Sequence, residues 1–442
     1  MTKPLRIFGF WTATSLVLGN MIGSGIFYLP ASLAHVGPIS ILGWIITAVG
    51  AVSLAYVFSK LSLHNPSAGG PFSFTRQAFG DQMGFFMAWG YWIMAWSSNA
   101  AVSLAFVSYL SHFIPFLAES KIASFFVAIS LIWLTTYLNC RDLKYGGFIQ
   151  VLTVIIKISP LVAVACVGWY FIDTANYVPF NPNYETPFEA INAAAAITMW
   201  AFIGLESATV PADSVDNPSK TISRATLIGT LLGAAIYIII TSVIFGLIPA
   251  SKLAQSNAPF VDAAILIFGS WVAPIIGFCV LVSIFGGLNG WIIIQGQIPY
   301  ALAKEGLFPR AFAKLSPTGT PVFGLIFSSV LMTILLSMNY SKSLVSQFNN
   351  LILIGTIMTL GTYLSSALAS LRLLNDSFTV KLKPQIKIAV VLGGIYCLWA
   401  IFGSGIENLM ICFFAYACGI PVYIYSKWQN RRSGRNLLET EA

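Results

Sequence analysis

The chain has 442 residues, of which 23 are Lys or Arg and 15 are Asp or Glu, so charged residues make up 9%, where soluble domains carry roughly 25%. With 57% hydrophobic residues and a mean hydropathy of +0.81, there is too little charge to cover a globule in water. There is also too much apolar and aromatic side chain for a disordered polymer. The net charge of +8 would suggest nucleic acid in a soluble protein. In a helical membrane protein it reports loop placement instead, because Lys and Arg are retained on the cytoplasmic side.

A helix needs about 20 apolar residues to cross the hydrocarbon core. The sequence predicts twelve such spans, at 8–34, 38–62, 82–116, 121–140, 145–172, 188–212, 221–249, 270–303, 321–339, 345–373, 385–403 and 406–427. Lys3 and Arg6 ahead of the first span mimic a secretory signal, but the stretch lacks a small-residue cleavage site and runs into a glycine-rich motif. It therefore reads as an uncleaved span. The longest connections, near 63–80, 173–187 and 250–269, hold no separate domain. The expected organisation is one transmembrane domain, 1–427, and a polar cytoplasmic tail, 428–442. The six cysteines fall in or at the ends of apolar stretches and form no CxxC pair. They are expected to be small buried hydrophobes, with neither a metal site nor a disulfide framework.

Twelve spans put both termini on one side. If that side is the cytoplasm, nineteen Lys and Arg lie in inner segments and only Lys121, Lys252 and Lys342 in outer loops. This asymmetry supports both the count and the orientation. One basic residue, Lys157, remains inside the fifth span.

Two spans are interrupted. The first contains Gly19-Asn20-Met21-Ile22-Gly23-Ser24-Gly25, and the sixth contains Trp200-Ala201-Phe202-Ile203-Gly204-Leu205-Glu206-Ser207. Backbone freed by such breaks survives at membrane depth only in protein or beside a cavity. Close helix packing explains one glycine-rich span. Two interruptions five spans apart fit better a five-plus-five inverted repeat with broken helices 1 and 6, whose halves hold substrate at the midplane. Repeat one is then about 8–172 and repeat two about 188–373, with two extra helices at about 385–427.

The half-helix beginning near Ser24 and Gly25 points free N–H groups and the positive end of its dipole inward, which suits an α-carboxylate. Carbonyls of Met21, Trp200 and Ile203 suit an α-ammonium. Glu206 costs on the order of 2.5–3.5 kcal/mol at this depth; it is expected to attract cations or couple protons rather than serve only as a structural carboxylate. Lys157 is expected to face inward and tie the broken first helix to the fifth span, standing where a bound cation would otherwise be needed. Trp291 follows Gly286-Gly287-Leu288-Asn289-Gly290 deep in the eighth span, where an indole face suits a cationic head better than an interface. Asn99 is a mid-span polar group that suits either a ligand or another helix.

These residues resemble the amino acid–polyamine–organocation (APC) transporters, and within them the bacterial basic amino acid/polyamine antiporters, arginine/agmatine exchangers among them. The likeness rests on Gly19-Asn20 with Gly23-Ser24-Gly25, Pro66-Ser67-Ala68-Gly69-Gly70, Trp200 with Phe202-Ile203-Gly204 and Glu206-Ser207-Ala208, Gly290-Trp291, and Gly306-Leu307-Phe308-Pro309. Each motif is weak alone; their order and spacing over nearly the whole chain are specific. The resemblance implies an all-α membrane protein with the APC fold. It implies that Ser24 and Gly25 hold a substrate carboxylate, that carbonyls of Met21, Trp200 and Ile203 hold its amino group, and that Trp291 and Asn99 meet the cationic head. Trp200 would gate the occluded state, and Tyr91 and Tyr363 match gating tyrosines. Three departures stand out: Val102 where the arginine exchanger has methionine, Gly355 where it has a head-group serine, and Lys157 where it has a small residue.

The expected function is a secondary active amino-acid transporter in the inner membrane. It would exchange cationic amino acids and their decarboxylated amines by alternating access, without a metal or cofactor. The rival is a proton-coupled symporter of broader specificity, driven through Lys157 or Glu206. An enzyme is not expected, because His35, His64 and His112 are scattered near span ends; a channel would want a filter motif that the sequence lacks. Expected partners are an amino acid or polyamine and the lipid bilayer, with protons and a homodimeric second copy as options, and no nucleic acid.

Overall fold

The computed structural model describes residues 9–64, 70–141, 144–183, 186–209, 215–339, 344–374 and 383–432. Pro66 to Gly69 of the motif before the third span, the last residues of the expected sixth span and most of the tail lie outside the described residues. Among the described residues the regular structure is helical. The main helices are α1 (Phe10–Met21), α2 (Gly25–Ala34), α3 (Ser40–His64), α4 (Pro71–Phe79), α5 (Asp81–Leu110), α6 (Lys121–Arg141), α7 (Lys144–Val167) and α8 (Pro187–Thr198). They continue as α9 (Pro218–Leu247), α10 (Pro259–Phe268), α11 (Ala273–Lys304), α12 (Val322–Asn339), α13 (Leu344–Leu373), α14 (Pro384–Gly403) and α15 (Ile406–Arg432).

Ten helical segments among the described residues are long and apolar enough to cross a membrane. Shorter apolar helices at Ile156–Phe171 and Val322–Met338 occupy the places of the fifth and ninth expected spans. The third expected span, 82–116, ends earlier, at Leu110, where Ser111 begins a turn. Two of the longest connections contain helices, α4 and α10, each opened by a proline in its first turn; the missing N–H of proline is no loss there. The entry to α8 is sharper. Thr186 and Glu189 form a reciprocal capping box ahead of Pro187, satisfying two donors that the first turn leaves free.

Apolar side chains cover the outside as well as the core. Phe402 and Phe413 are each 71% exposed, a surface that only lipid solvates cheaply. Inside, hydroxyl pairs join neighbouring helices: Thr47 with Thr198 at 2.7 Å, Ser59 with Ser223 at 2.6 Å and Thr75 with Ser365 at 3.0 Å. Such small polar contacts substitute for a hydrophobic driving force that helices in lipid lack. The cysteine expectation needs correction. Cys397 and Cys412 are buried, but Cys166 and Cys418 are exposed, because a thiol is apolar enough for the outward face.

The longest packing seams set the site. α5 runs along α13 and α11, α9 runs along α3 and α1, α8 lies on α3, and α11 lies on α7. On one end, Arg76 of α4 pairs with Asp81 at 2.9 Å and with Glu305 beyond α11 at 2.6 Å, and Lys427 of α15 reaches Asp81 at 3.2 Å.

Candidate functional site

The first span is cut where its sequence loses side chains. α1 stops at Met21; Ile22 has φ −76° and ψ 78°, outside the helical region, and α2 starts at Gly25. The sixth span behaves alike. α8 stops at Thr198, tightens into a 3₁₀ turn over Met199–Phe202, and leaves the helical path at Ile203. Gly204 follows with φ +108°, and a Cβ there would lie 3.1 Å from the carbonyl carbon of Asn20. Glycine is required twice over, for its dihedral and for the close approach of the two breaks.

Side chains stitch the breaks together. Asn20 Nδ2 donates to Ser207 Oγ at 2.8 Å. The Tyr237 hydroxyl of α9 reaches the Met21 carbonyl at 2.5 Å and the Ala201 carbonyl at 2.9 Å. Lys157 of α7 is fully buried and donates to the Gly19 and Ile22 carbonyls, each at 2.9 Å. Both carbonyls lie at the end of α1, where no following turn supplies N–H groups. Glu206 is fully buried too. It accepts from Tyr91 of α5 at 2.5 Å, from Tyr363 of α13 and from the Gly204 N–H at 3.1 Å.

Between the breaks lies a small cavity of about 40 Å³. Asn20, Met21, Gly23 and Ser24 line it from the first span and Trp200 and Ile203 from the sixth. α5 contributes Met94, Ser98, Asn99 and Val102, and α11 contributes Gly287 and Trp291. No lining side chain is ionised at neutral pH, so recognition falls to helix ends, amides, hydroxyls and indoles. Ser24 Oγ is buried without a hydrogen-bond partner among the described residues, beside the N-terminus of α2, a combination that suits an anionic oxygen. Trp200 closes over this corner. A Cβ on Gly25 would lie 2.9 Å from its ring, its Nε1 donates to Ser98 Oγ at 3.3 Å, and it meets Phe348 edge-on at 5.3 Å.

Of the residues singled out from sequence, Met21, Ser24, Asn99, Trp200, Ile203 and Trp291 share the cavity wall, with Gly25 beneath Trp200. Tyr91, Glu206 and Tyr363 form a separate cluster off that wall, and Lys157 supports the first break from behind. Glu206 is therefore bound to two tyrosines rather than set beside the cavity, and the Met21 carbonyl already accepts from Tyr237. Asn99 meets another helix, donating to Gln295 of α11 at 2.8 Å, and it also lines the cavity. Sequence reasoning missed Tyr237, Gln295 and Ser98. A signal existed for the first two, each a lone polar group in an apolar run, Ala235-Ile236-Tyr237-Ile238 and Ile293-Ile294-Gln295.

A family profile described as "Amino acid permease" matches residues 8–428. The chain is 36% identical over 414 residues to the putrescine transporter PotE of Haemophilus influenzae, covering 93% of this chain and 94% of that protein. It is 34% identical over 405 residues to the cadaverine/lysine antiporter of Escherichia coli strain K12, covering 90% of this chain and 89% of that one. The putrescine transporter PotE of the same strain is 33% identical over 401 residues, covering 90% of this chain and 91% of that one.

Proposed function

The chain belongs to the amino acid permease family, and on that premise we propose that it is an antiporter exchanging a cationic amino acid for a diamine by alternating access. The observation that carries this reading is the small cavity between two broken helices. An α-carboxylate fits the N-terminus of α2 and Ser24, while the far wall offers Trp291 and Asn99 to a cationic head. A diamine lacks the carboxylate and keeps the cationic heads, so the same lining groups suit both partners of an exchange. The relatives' names, a putrescine transporter and a cadaverine/lysine antiporter, support this cargo class and do not favour the proton symporter.

The protein is multi-pass, and twelve spans with an inverted repeat are part of the proposal. Exchanging span 1 with 6, 2 with 7, 3 with 8 and 5 with 10 turns the α1–α9 seam into the α8–α3 seam. It likewise turns α5–α13 into α11–α7, and both members of each pair exist. The basic-residue asymmetry supports an inner membrane with cytoplasmic termini. Trp200 is the substrate gate. The Tyr91–Glu206–Tyr363 cluster holds α5, the sixth-span break and α13 together on one side of the cavity until the repeats rock. The test is counterflow in proteoliposomes preloaded with lysine, ornithine, arginine, putrescine or cadaverine. Labelled lysine should enter only vesicles holding a cationic partner. Equal entry into vesicles holding leucine, or into empty vesicles under a proton gradient, refutes the antiporter.

A further inference from the structure

Asn99 faces the cavity, and its carboxamide has two ends of opposite polarity. Its orientation decides whether the wall offers a donor or an acceptor. The Nδ2 end is turned away, donating at 2.8 Å to Gln295 Oε1 on α11. Among the described residues no donor reaches the Asn99 Oδ1. Gln295 is itself fully buried and is held by its other end: its Nε2 donates to Ser329 Oγ of α12 at 3.4 Å. Ser329 in turn meets Thr136 of α6 at 2.7 Å. The relay thus crosses from the cavity through α11 and α12 to α6, away from the moving breaks.

The geometry points to Gln295 as the positioning residue that sets the polarity of the central cavity, by holding Asn99 with its carbonyl oxygen toward the cargo. The inference rests on the functional reading above, because a cationic head accepts no hydrogen bond and only donates. With the amide reversed, Asn99 would present N–H to ammonium, and a favourable contact would become a repulsive one. Gln295 never touches the substrate. It acts through Asn99, and the buried amides supply the preference for cations without a buried carboxylate, which would cost far more to desolvate.

Gln295→Met tests this at nearly constant volume. Ser329 keeps its bond to the Leu325 carbonyl at 3.0 Å and its contact with Thr136, so Asn99 is the group released. A hydrogen bond to a charged group corresponds to roughly tenfold in affinity or more. Gln295→Met should therefore raise the KM for putrescine, cadaverine and lysine about tenfold while kcat changes little. Asn99→Ala should do the same, and adding Gln295→Met to Asn99→Ala should change KM no further, because the residue through which it acts is gone. Losses that multiply in the double variant, or a fall in kcat at constant KM, would make Gln295 a packing residue and overturn the inference. Wild-type exchange confined to neutral amino acids would overturn the functional reading and this inference together. Wild-type diamine exchange with multiplying losses would overturn this inference alone.

Discussion

Replacing Lys157 by methionine keeps most of the apolar stem of the side chain and deletes its three donors. In the structure those donors hold the Gly19 and Ile22 carbonyls at 2.9 Å each, at the point where α1 ends and the chain turns toward Ser24. Hydrogen bonds from a charged donor contribute about 1.5–3 kcal/mol each. Removing a buried charge also returns part of its desolvation penalty, so the net cost should be about 2–4 kcal/mol. That cost falls on the first break rather than on cavity groups, since Lys157 touches carbonyls behind the wall. Lys157→Met should therefore lower counterflow rates about tenfold or more while substrate affinity, read by tryptophan fluorescence, falls less. The ammonium also stands where an inorganic cation would otherwise have to satisfy these carbonyls, so wild-type exchange should proceed without Na⁺. Wild-type uptake that needs a sodium gradient, or a Lys157→Met protein with wild-type rate and melting temperature, would refute the argument.

Gly25→Leu fills the space under the Trp200 ring, 2.9 Å away at Cβ, and should abolish binding; unchanged calorimetric affinity would sink the assignment of this corner to the substrate. Trp291→Leu should weaken cationic substrates by about 1–2 kcal/mol and spare neutral ones, and equal losses for both would leave Trp291 as a mere wall. Glu206→Gln replaces an acceptor oxygen with a donor, so one of the Tyr91 and Tyr363 hydroxyls loses its acceptor. The pH profile of uptake should flatten, and an unaltered profile would point to Lys157 as the titrating group. Gly355→Ser puts a Cβ 2.4 Å from Ser98 Oγ; uptake should fall and recover in the double variant Ser98→Gly/Gly355→Ser, whereas no recovery would mean the two positions do not share space.

The membrane class follows from composition alone, because 9% charge cannot solvate a soluble surface of this size. The two breaks were legible for a related reason. Gly23, Gly25 and Gly204 and the polar neighbours Asn20, Ser24 and Glu206 interrupt apolar runs, and helix propensity is local. What lies between the breaks was not legible. That Glu206 binds two tyrosines rather than facing the cavity depends on how α5 and α13 pack. That Tyr237 occupies the Met21 carbonyl depends on α9 crossing both breaks. Asn99 could be read from sequence as a polar group in a span, but the direction of its amide is set by Gln295, 196 residues away in sequence. A pattern of residue types fixes which groups must find partners within the bilayer, since lipid supplies none. Which partner each group finds is a matter of distance between helices, and only the packed bundle decides it.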